Sequence, residues 1–430
     1  MKRTRYVKVA ASIALLLPFL YSALKNGDVV STEISSSNID GVQSRQWSGN
    51  KESEDKEISN RFSNTKENCE KVHHFVMIKT EKTGSSTLFS ILARFILLHQ
   101  LNIMVTTKGG HLDLRQDRGS KPGWDIGPWT GMKAEALVHH ARYNESLLKR
   151  MTYDDTKYIT LVREAVPWYE SAVRFWPSVA AHKSPDWILN TSGKFYVNRT
   201  VLGDDYNGQV KLFHLSQLQW LGFDYKYSHD MEIIKDYIKH VVPKFHIGFL
   251  TDQFDASLIR LRREFCWQHV DIFYKSQEVG GRKGKVSPQT LLPLSPEGRA
   301  KLVTKEFNLG DQMLYESFNQ TWWKSPSVMA EDFWEEVSAF KQMNTEVNTA
   351  CQGITKDQNY TIEGNRWSDP VTLTYTLCAL ILHENYSLIK KLAQYAIGQS
   401  YDQNIYVVRS RATLNELSNA RIRDYLAKTL

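Results

Sequence analysis

The stretch HFVMIKTEKTGSST, which runs from His74 to Thr87, contains the strongest structural signal in this chain. Its four apolar residues, Phe75–Ile78, have the length of a buried strand in a parallel sheet. Beyond Thr87, apolar residues recur at spacings of three and four, which predicts a helix. These residues are Leu88, Ile91, Leu92, Phe95 and Leu98.

A strand, a turn and a helix of this composition can form a phosphate site. Backbone N–H groups and the helix dipole favour an anion, and Gly84 allows the backbone to approach it. The lysines precede the single glycine, so the stretch is not a Walker A loop. A Ser/Thr-rich helix cap and another type of nucleotide loop are the alternatives. The predicted ligand-binding residues are Lys79, Thr80, Lys82, Thr83, Gly84, Ser85, Ser86 and Thr87.

Composition restricts the class of ligand. The net charge of +7 suits anionic ligands but is too small and dispersed to indicate a nucleic-acid partner. The four cysteines, at positions 69, 266, 351 and 378, lack metal-ligand spacing, so no metal site is predicted. In a secretory lumen their even number fits two disulfides, with three possible pairings. Four buried free thiols are the alternative.

The first 70 residues read as a membrane-anchoring region. Residues 1–8 are basic and predict a cytoplasmic tail, and residues 9–24 are apolar and predict a signal-anchor. A cleaved signal peptide is the alternative. Residues 25–70 are polar and predict a flexible luminal stem. Six N-x-[ST] sequons, at Asn144, Asn190, Asn198, Asn319, Asn359 and Asn385, favour a type II, N-glycosylated protein.

Two further strand–helix units follow within the predicted catalytic domain, residues 71–325. Their strands are Tyr158–Val162 and Ile247–Leu250, and the alternation predicts an α/β fold with a central parallel sheet flanked by helices. Ligands of such sheets bind at the carboxyl ends of the strands. Residues 326–430 predict a mainly helical extension, with helices near Met329–Met343 and Leu373–Tyr395. This extension can be a packing appendage, a small domain or an oligomer contact.

Arg163 and Ser171 suit a second anionic group. Arg163 directly follows the second predicted strand, and its planar guanidinium can bind two phosphate oxygens together. Ser171 lies eight residues further along and can add a hydrogen bond. The sequence therefore predicts a ligand with two anionic ends.

The order Lys79-Thr-x-Lys-Thr-Gly-Ser-Ser-Thr87 resembles the 5′-phosphosulfate loop of Golgi carbohydrate sulfotransferases. Four later blocks resemble segments of the galactose-3-O-sulfotransferases, the group that includes galactosylceramide sulfotransferase. The resemblance covers about residues 70 to 325 and implies a P-loop-NTPase-like sulfotransferase fold in the Golgi membrane. It also implies 3′-phosphoadenosine 5′-phosphosulfate (PAPS) as the donor. The blocks are 140–143, 158–175, 249–267 and 311–323.

The resemblance also implies roles for particular residues. Lys82 would stabilise the leaving phosphate, with Lys79 as the alternative, and Arg163 with Ser171 would bind the 3′-phosphate. His140 would be the catalytic base, although its neighbour His139 could be confused with it. The family usually has histidine where Glu81 stands and proline where Ala165 stands. Glu81 is therefore either an alternative base or a sign of a changed acceptor or lost activity.

The sequence thus predicts transfer of a sulfuryl group to a galactose hydroxyl, the 3-OH by resemblance, of a glycolipid such as galactosylceramide or a glycoprotein glycan. The alternatives are a glycosaminoglycan O-sulfotransferase and a non-catalytic glycan- or nucleotide-binding protein; a nucleotide kinase is disfavoured by the missing Walker A pattern.

The basic loop Gly280–Lys285 can cover the nucleotide or be solvated. The aromatic segment Gly109–Gly131 is a candidate acceptor contact, and the sequence does not indicate the oligomeric state.

Overall fold

The computed structural model describes residues 69–106, 111–112, 133–175, 183–191, 196–198, 209–211, 213–277, 292–382 and 405–409. The predicted tail, signal-anchor and nearly all of the stem lie outside these residues, as does the basic loop Gly280–Lys285. No helix in the described ranges is long and apolar enough to cross a bilayer.

Twelve strands are found in the described residues. In chain order they are β1 (Phe75–Ile78), β2 (Asn102–Thr106), β3 (His111–Leu112), β4 (Ala136–Leu137), β5 (His140–Ala141), β6 (Lys157–Val162), β7 (Tyr196–Asn198), β8 (Gln209–Lys211), β9 (Ile247–Leu250), β10 (Asn359–Ile362), β11 (Val371–Thr374) and β12 (Ile405–Arg409).

Thirteen α-helices accompany them in the same ranges. They are α1 (Ser85–His99), α2 (Glu145–Met151), α3 (Ala165–Phe175), α4 (Pro185–Thr191), α5 (Ser216–Trp220), α6 (Met231–Val241), α7 (Phe254–Phe265), α8 (His269–Ile272), α9 (Pro296–Leu302), α10 (Leu309–Trp323), α11 (Pro326–Met329), α12 (Phe333–Gly353) and α13 (Tyr375–Leu382). Short 3₁₀ turns lie at Tyr225–Tyr227, Val242–Lys244 and Thr251–Gln253.

A six-stranded sheet forms the centre of the fold, in the order β12-β2-β4-β1-β6-β9. Its strands run parallel except for β12, which pairs antiparallel with β2. Strand β1 is fully buried, as its continuous apolar run predicts. The predicted α/β class and the parallel sheet flanked by helices are therefore confirmed. The finer assignment to a P-loop-NTPase-like fold stays a prediction.

The main hydrophobic core lies on both faces of this sheet and extends well past residue 325. Phe333 and Phe340 of α12 are fully buried in it, together with Ile381 of α13. Glu336, also on α12, is fully buried and pairs with Arg262 and Arg263 of α7. A smaller apolar cluster packs under α3, α4 and α9 around Trp168.

The predicted helix from Leu373 is wrong at its start. Residues Val371–Thr374 form β11, which pairs antiparallel with β10, and the helix begins at Tyr375. The segment Val-Thr-Leu-Thr alternates apolar and β-branched polar residues, and its burial alternates accordingly, which favours a strand. The part of that predicted helix beyond Leu382 lies outside the described residues.

Two disulfides bind the cysteines, Cys69 to Cys266 and Cys351 to Cys378. The first joins the segment before β1 to the residue after α7, and the second joins α12 to α13. Of the two alternatives that the sequence left open, the structure therefore has the two-disulfide arrangement.

Candidate active site

Three strand ends meet at the carboxyl edge of the sheet. The loop 79–84 follows β1, Arg163 follows β6, and Thr251 follows β9. The Thr80 hydroxyl donates to the carbonyl oxygen of Leu161 at 2.6 Å, and the Thr251 hydroxyl lies 2.9 Å from the carbonyl oxygen of Thr83. The loop after β1 is thus tied to both neighbouring strand ends.

Several of the predicted ligand-binding hydroxyls form hydrogen bonds with groups of the protein itself. Thr80, Thr83 and Ser85 are buried, the Thr83 hydroxyl lies 2.8 Å from that of Thr80, and Ser85 donates to the Thr80 carbonyl at 2.5 Å. The Thr87 hydroxyl accepts the backbone N–H of Gln277 at 2.9 Å. The structure therefore gives these four side chains partners inside the protein. Ser86 lies at the helix start and is partly buried.

The backbone of the loop adopts two left-handed conformations. Gly84 has φ of 79°, and Lys82, which has a side chain, has φ of 60°. Gly84 is the N-cap of α1 and offers no side chain to the first amide groups of the helix. Such an N-terminus, which has no side chain at its N-cap and carries the positive end of the helix dipole, is suited to an anion.

Lys79 and His140 form a close pair beside this loop. His140 Nδ1 lies 2.8 Å from the Lys79 carbonyl oxygen, and because a carbonyl oxygen only accepts, Nδ1 donates its proton there. Nε2 lies 3.0 Å from Lys79 Nζ and accepts from the ammonium group. The neutral imidazole thus presents Nε2 as its proton acceptor. His139, by contrast, is buried and packs against Phe89.

Lys82 and Arg163 lie together on the other side of the loop. Arg163 Nη1 donates to the Lys82 carbonyl at 3.2 Å, and Lys82 Nζ lies 3.6 Å from the ring centroid of Phe175. Burial, and secondarily the charge of Arg174, lowers the pKa of Arg163. Lys82 and Arg163 are both cationic side chains at this loop and can attract an anion. Ser171 is partly buried on α3, two turns from its first residue.

Glu81, Trp168 and Gln217 also lie at this loop and at the strand end beside it. The sequence analysis did not identify Trp168 or Gln217 as site residues. The Glu81 carbonyl accepts the indole N–H of Trp168 at 2.7 Å. Trp168 is fully buried on α3, and Gln217 of α5 contacts the main chain of Arg163. Neither residue type stands out in a sequence, since tryptophan and glutamine usually have structural roles. The block 158–175, which contains Trp168, was the nearest signal.

The region on the His140 side connects to the predicted acceptor segment. Strand β5 pairs in parallel with β3, and His111 lies in register with His140. The rest of Gly109–Gly131 lies mostly outside the described residues. Within the described ranges, no group of three His, Cys, Asp or Glu side chains is arranged to hold a metal ion.

Comparison with known proteins identifies a family that this chain resembles. The family model described as Galactose-3-O-sulfotransferase matches residues 31–363. Galactose-3-O-sulfotransferase 2 of Mus musculus is 26% identical over 307 residues, which cover 67% of this chain and 72% of that protein. Galactosylceramide sulfotransferase of Homo sapiens is 26% identical over 290 residues, which cover 66% of this chain and 65% of that protein. The match thus spans just under two thirds of the human protein.

Proposed function

The chain belongs to the galactose-3-O-sulfotransferase family, and from that premise we propose that it transfers the sulfuryl group of PAPS to the 3-OH of a β-galactose residue. The acceptor we propose is a glycolipid such as galactosylceramide or a glycoprotein glycan. The observation that carries the proposal is the Lys79–His140 pair, because it places a proton acceptor beside the loop 79–84, which is suited to bind a phosphate group. We further propose a Golgi, type II membrane location for this activity.

The residues fit a donor with two anionic ends. The uncapped N-terminus of α1 with Lys79 and Lys82 would hold the 5′-phosphosulfate, and Arg163 with Ser171 would hold the 3′-phosphate. Thr80, Thr83, Ser85 and Thr87 would act indirectly, by shaping the loop. When bound, PAPS supplies the sulfuryl group and leaves as the 3′,5′-bisphosphate.

Three side chains would carry the chemistry. His140 Nε2 would take the proton of the acceptor hydroxyl as its oxygen bonds to sulfur, while the bond from sulfur to the 5′-phosphate oxygen breaks. The Lys82 ammonium would offset the charge that develops on that leaving oxygen. When the anionic donor binds, the Lys79 ammonium group would move from His140 Nε2 to the donor. His140 Nε2 would then be available to accept a proton. Glu81 stays the alternative base.

The test uses a secreted fragment beginning at Asn68, which keeps Cys69 and its disulfide to Cys266. We would incubate it with labelled PAPS and galactosylceramide, lactose-type and glycosaminoglycan acceptors, beside Lys82→Ala as the control. We expect label on a galactoside, and a loss of at least about 100-fold in the control. Label on glycosaminoglycans alone would overturn the acceptor.

Nucleotide binding with no transfer would instead indicate a binding protein. In that case Glu81→His, which introduces the histidine usual in the family, would be expected to restore transfer. Absence of both binding and transfer in a folded fragment would overturn the proposed function as a whole.

A further inference from the structure

Gln217 forms two hydrogen bonds with the main chain of Arg163. The Arg163 N–H donates to Gln217 Oε1 at 2.8 Å, and Gln217 Nε2 donates to the Arg163 carbonyl at 2.8 Å. Arg163 is the first residue after β6, where the ladder of the sheet ends. The carboxamide therefore supplies one more pair of strand-like hydrogen bonds at the place where the strand would otherwise end.

Gln217 is itself held firmly. It is fully buried on α5, and its own N–H donates to Asp311 Oδ2 at 3.1 Å. The next residue, Leu218, donates to Asp311 Oδ1 at 3.0 Å. Asp311 thus caps the start of α5 from α10, and the carboxamide of Gln217 projects from a fixed support.

The backbone held in this way carries the arginine of the candidate site. The Arg163 guanidinium donates to the carbonyl of Lys82 in the loop 79–84. Two residues on, the Ala165 N–H donates to Gln312 Oε1 at 3.1 Å. The stretch from Arg163 to Ala165, the first residue of α3, is therefore fixed by two glutamine side chains. A fixed main chain restricts where a long, rotamer-rich side chain can place its charge.

We infer that Gln217 is a positioning residue for donor recognition. It holds the main chain of Arg163 so that the guanidinium can bind the 3′-phosphate of the nucleotide. This inference rests on the proposed function. Gln217 acts through Arg163, so its loss would raise the dissociation constant of the nucleotide and the KM for PAPS. The kcat would change much less, because the variant keeps the side chains that are proposed to accept the proton and to stabilise the leaving oxygen.

The test compares Gln217→Met with Gln219→Met in the fragment beginning at Asn68. Gln219 lies on the same helix, is equally buried, and donates through Nε2 to the His214 carbonyl at 2.8 Å. Both substitutions remove a buried carboxamide of the same size, but only one removes contacts with Arg163. We would measure melting temperature, calorimetric affinity for 3′-phosphoadenosine 5′-phosphate, and the steady-state constants for PAPS.

We expect Gln217→Met to weaken nucleotide binding and raise the KM for PAPS about tenfold, with kcat within about twofold. Gln219→Met should bind as the wild type does. If Gln217→Met does not fold, Gln217→Asn, which withdraws the carboxamide by one methylene, replaces it with the same expectation. Equal affinities for the two variants would overturn the inference alone, whereas a wild type that binds no nucleotide would overturn the proposed function.

Discussion

At the scale of single residues, the proposed chemistry depends on one contact, in which Lys79 Nζ lies 3.0 Å from His140 Nε2. Both residues were candidates, and the parallel order of the strands already implied that the loop and Arg163 share an edge. The tautomer of His140 was not predictable, because it depends on a hydrogen bond to a carbonyl 61 positions away. The bond from the Thr80 hydroxyl to the carbonyl of Leu161, 81 positions away, was hidden for the same reason.

The Lys79–His140 contact predicts non-additive kinetics. His140→Gln should lower kcat by about 10²–10⁴-fold, since it removes the proposed base. Lys79→Met should lower kcat less, and the double variant should be no slower than His140→Gln, because residues in direct contact act as a unit. The measurement is kcat for the four proteins of the cycle, and fully multiplicative losses would contradict the coupling.

The buried carboxyl group of Asp311 should make the stability of the folded protein depend on pH. Burial raises the pKa of its carboxyl group to about 7, although backbone N–H groups of α5 oppose this. An aspartate in an unfolded chain has a pKa of about 4. The folded state therefore binds the proton more tightly than the unfolded state, and this stabilisation is lost as the pH rises from about 4 to about 7. Relative to Asp311→Asn, the wild type should lose about 4 kcal/mol of unfolding free energy over that range.

Denaturant unfolding of both proteins at a series of pH values measures this difference. The asparagine variant loses an acceptor for the α5 amides, but that cost does not depend on pH. A difference in unfolding free energy that stays constant across the range from acid to neutral pH would show that Asp311 does not titrate there.

At the scale of elements, β1 and β9 were predicted well, whereas the two-residue strands β4 and β5 and the longer strands β2 and β12 were not predicted. Strands β1 and β9 have the predicted bounds, since an apolar run of four between polar turns allows few other structures. Strands β4 and β5 are only two residues long and carry no periodicity. Their place depends on the neighbouring strand, so single-sequence patterns cannot reveal them.

Because β9 packs closely against α10, replacing Gly248 with a larger residue should cause a steric conflict. A Cβ atom at this position would overlap the ring of Phe318, which is buried on α10. Gly248→Ala should therefore cost about 1–3 kcal/mol of unfolding free energy. Adding Phe318→Leu should recover part of that loss, because the smaller side chain makes room. Chemical denaturation of both single variants and the double variant tests this, and a double variant as unstable as the two losses combined would contradict it.

At the scale of the whole molecule, the segment after residue 325 belongs to the same core as the strands before it. The sequence reasoning found helices there but no chemistry, and left its role open. Phe333 and Glu336 contact Arg263 of α7, and Phe340 packs against Phe273 beyond α8; no local pattern of residues encodes such long-range contacts.

A fragment ending at Ser325 should therefore fail to fold. It would expose the apolar surface of α7 and leave Arg262 and Arg263 without Glu336, a buried partner whose removal typically costs about 3–5 kcal/mol. We expect aggregation or the absence of a cooperative thermal transition, measured beside the fragment from Asn68 to Leu430. A truncated protein that melts cooperatively and still binds nucleotide would show that the later segment is dispensable.

The antiparallel pairing of β12 with β2 has a consequence for biosynthesis. Arg409 lies in register with Asn102, so the ribosome adds roughly 300 residues after β2 before its edge partner exists. At ordinary elongation rates this interval lasts on the order of tens of seconds. During that time the nascent chain carries an open strand edge, which pairs readily with strands of other polypeptides. Chaperones that shield this edge until translation passes residue 409 would then decide how much newly made protein reaches its native state.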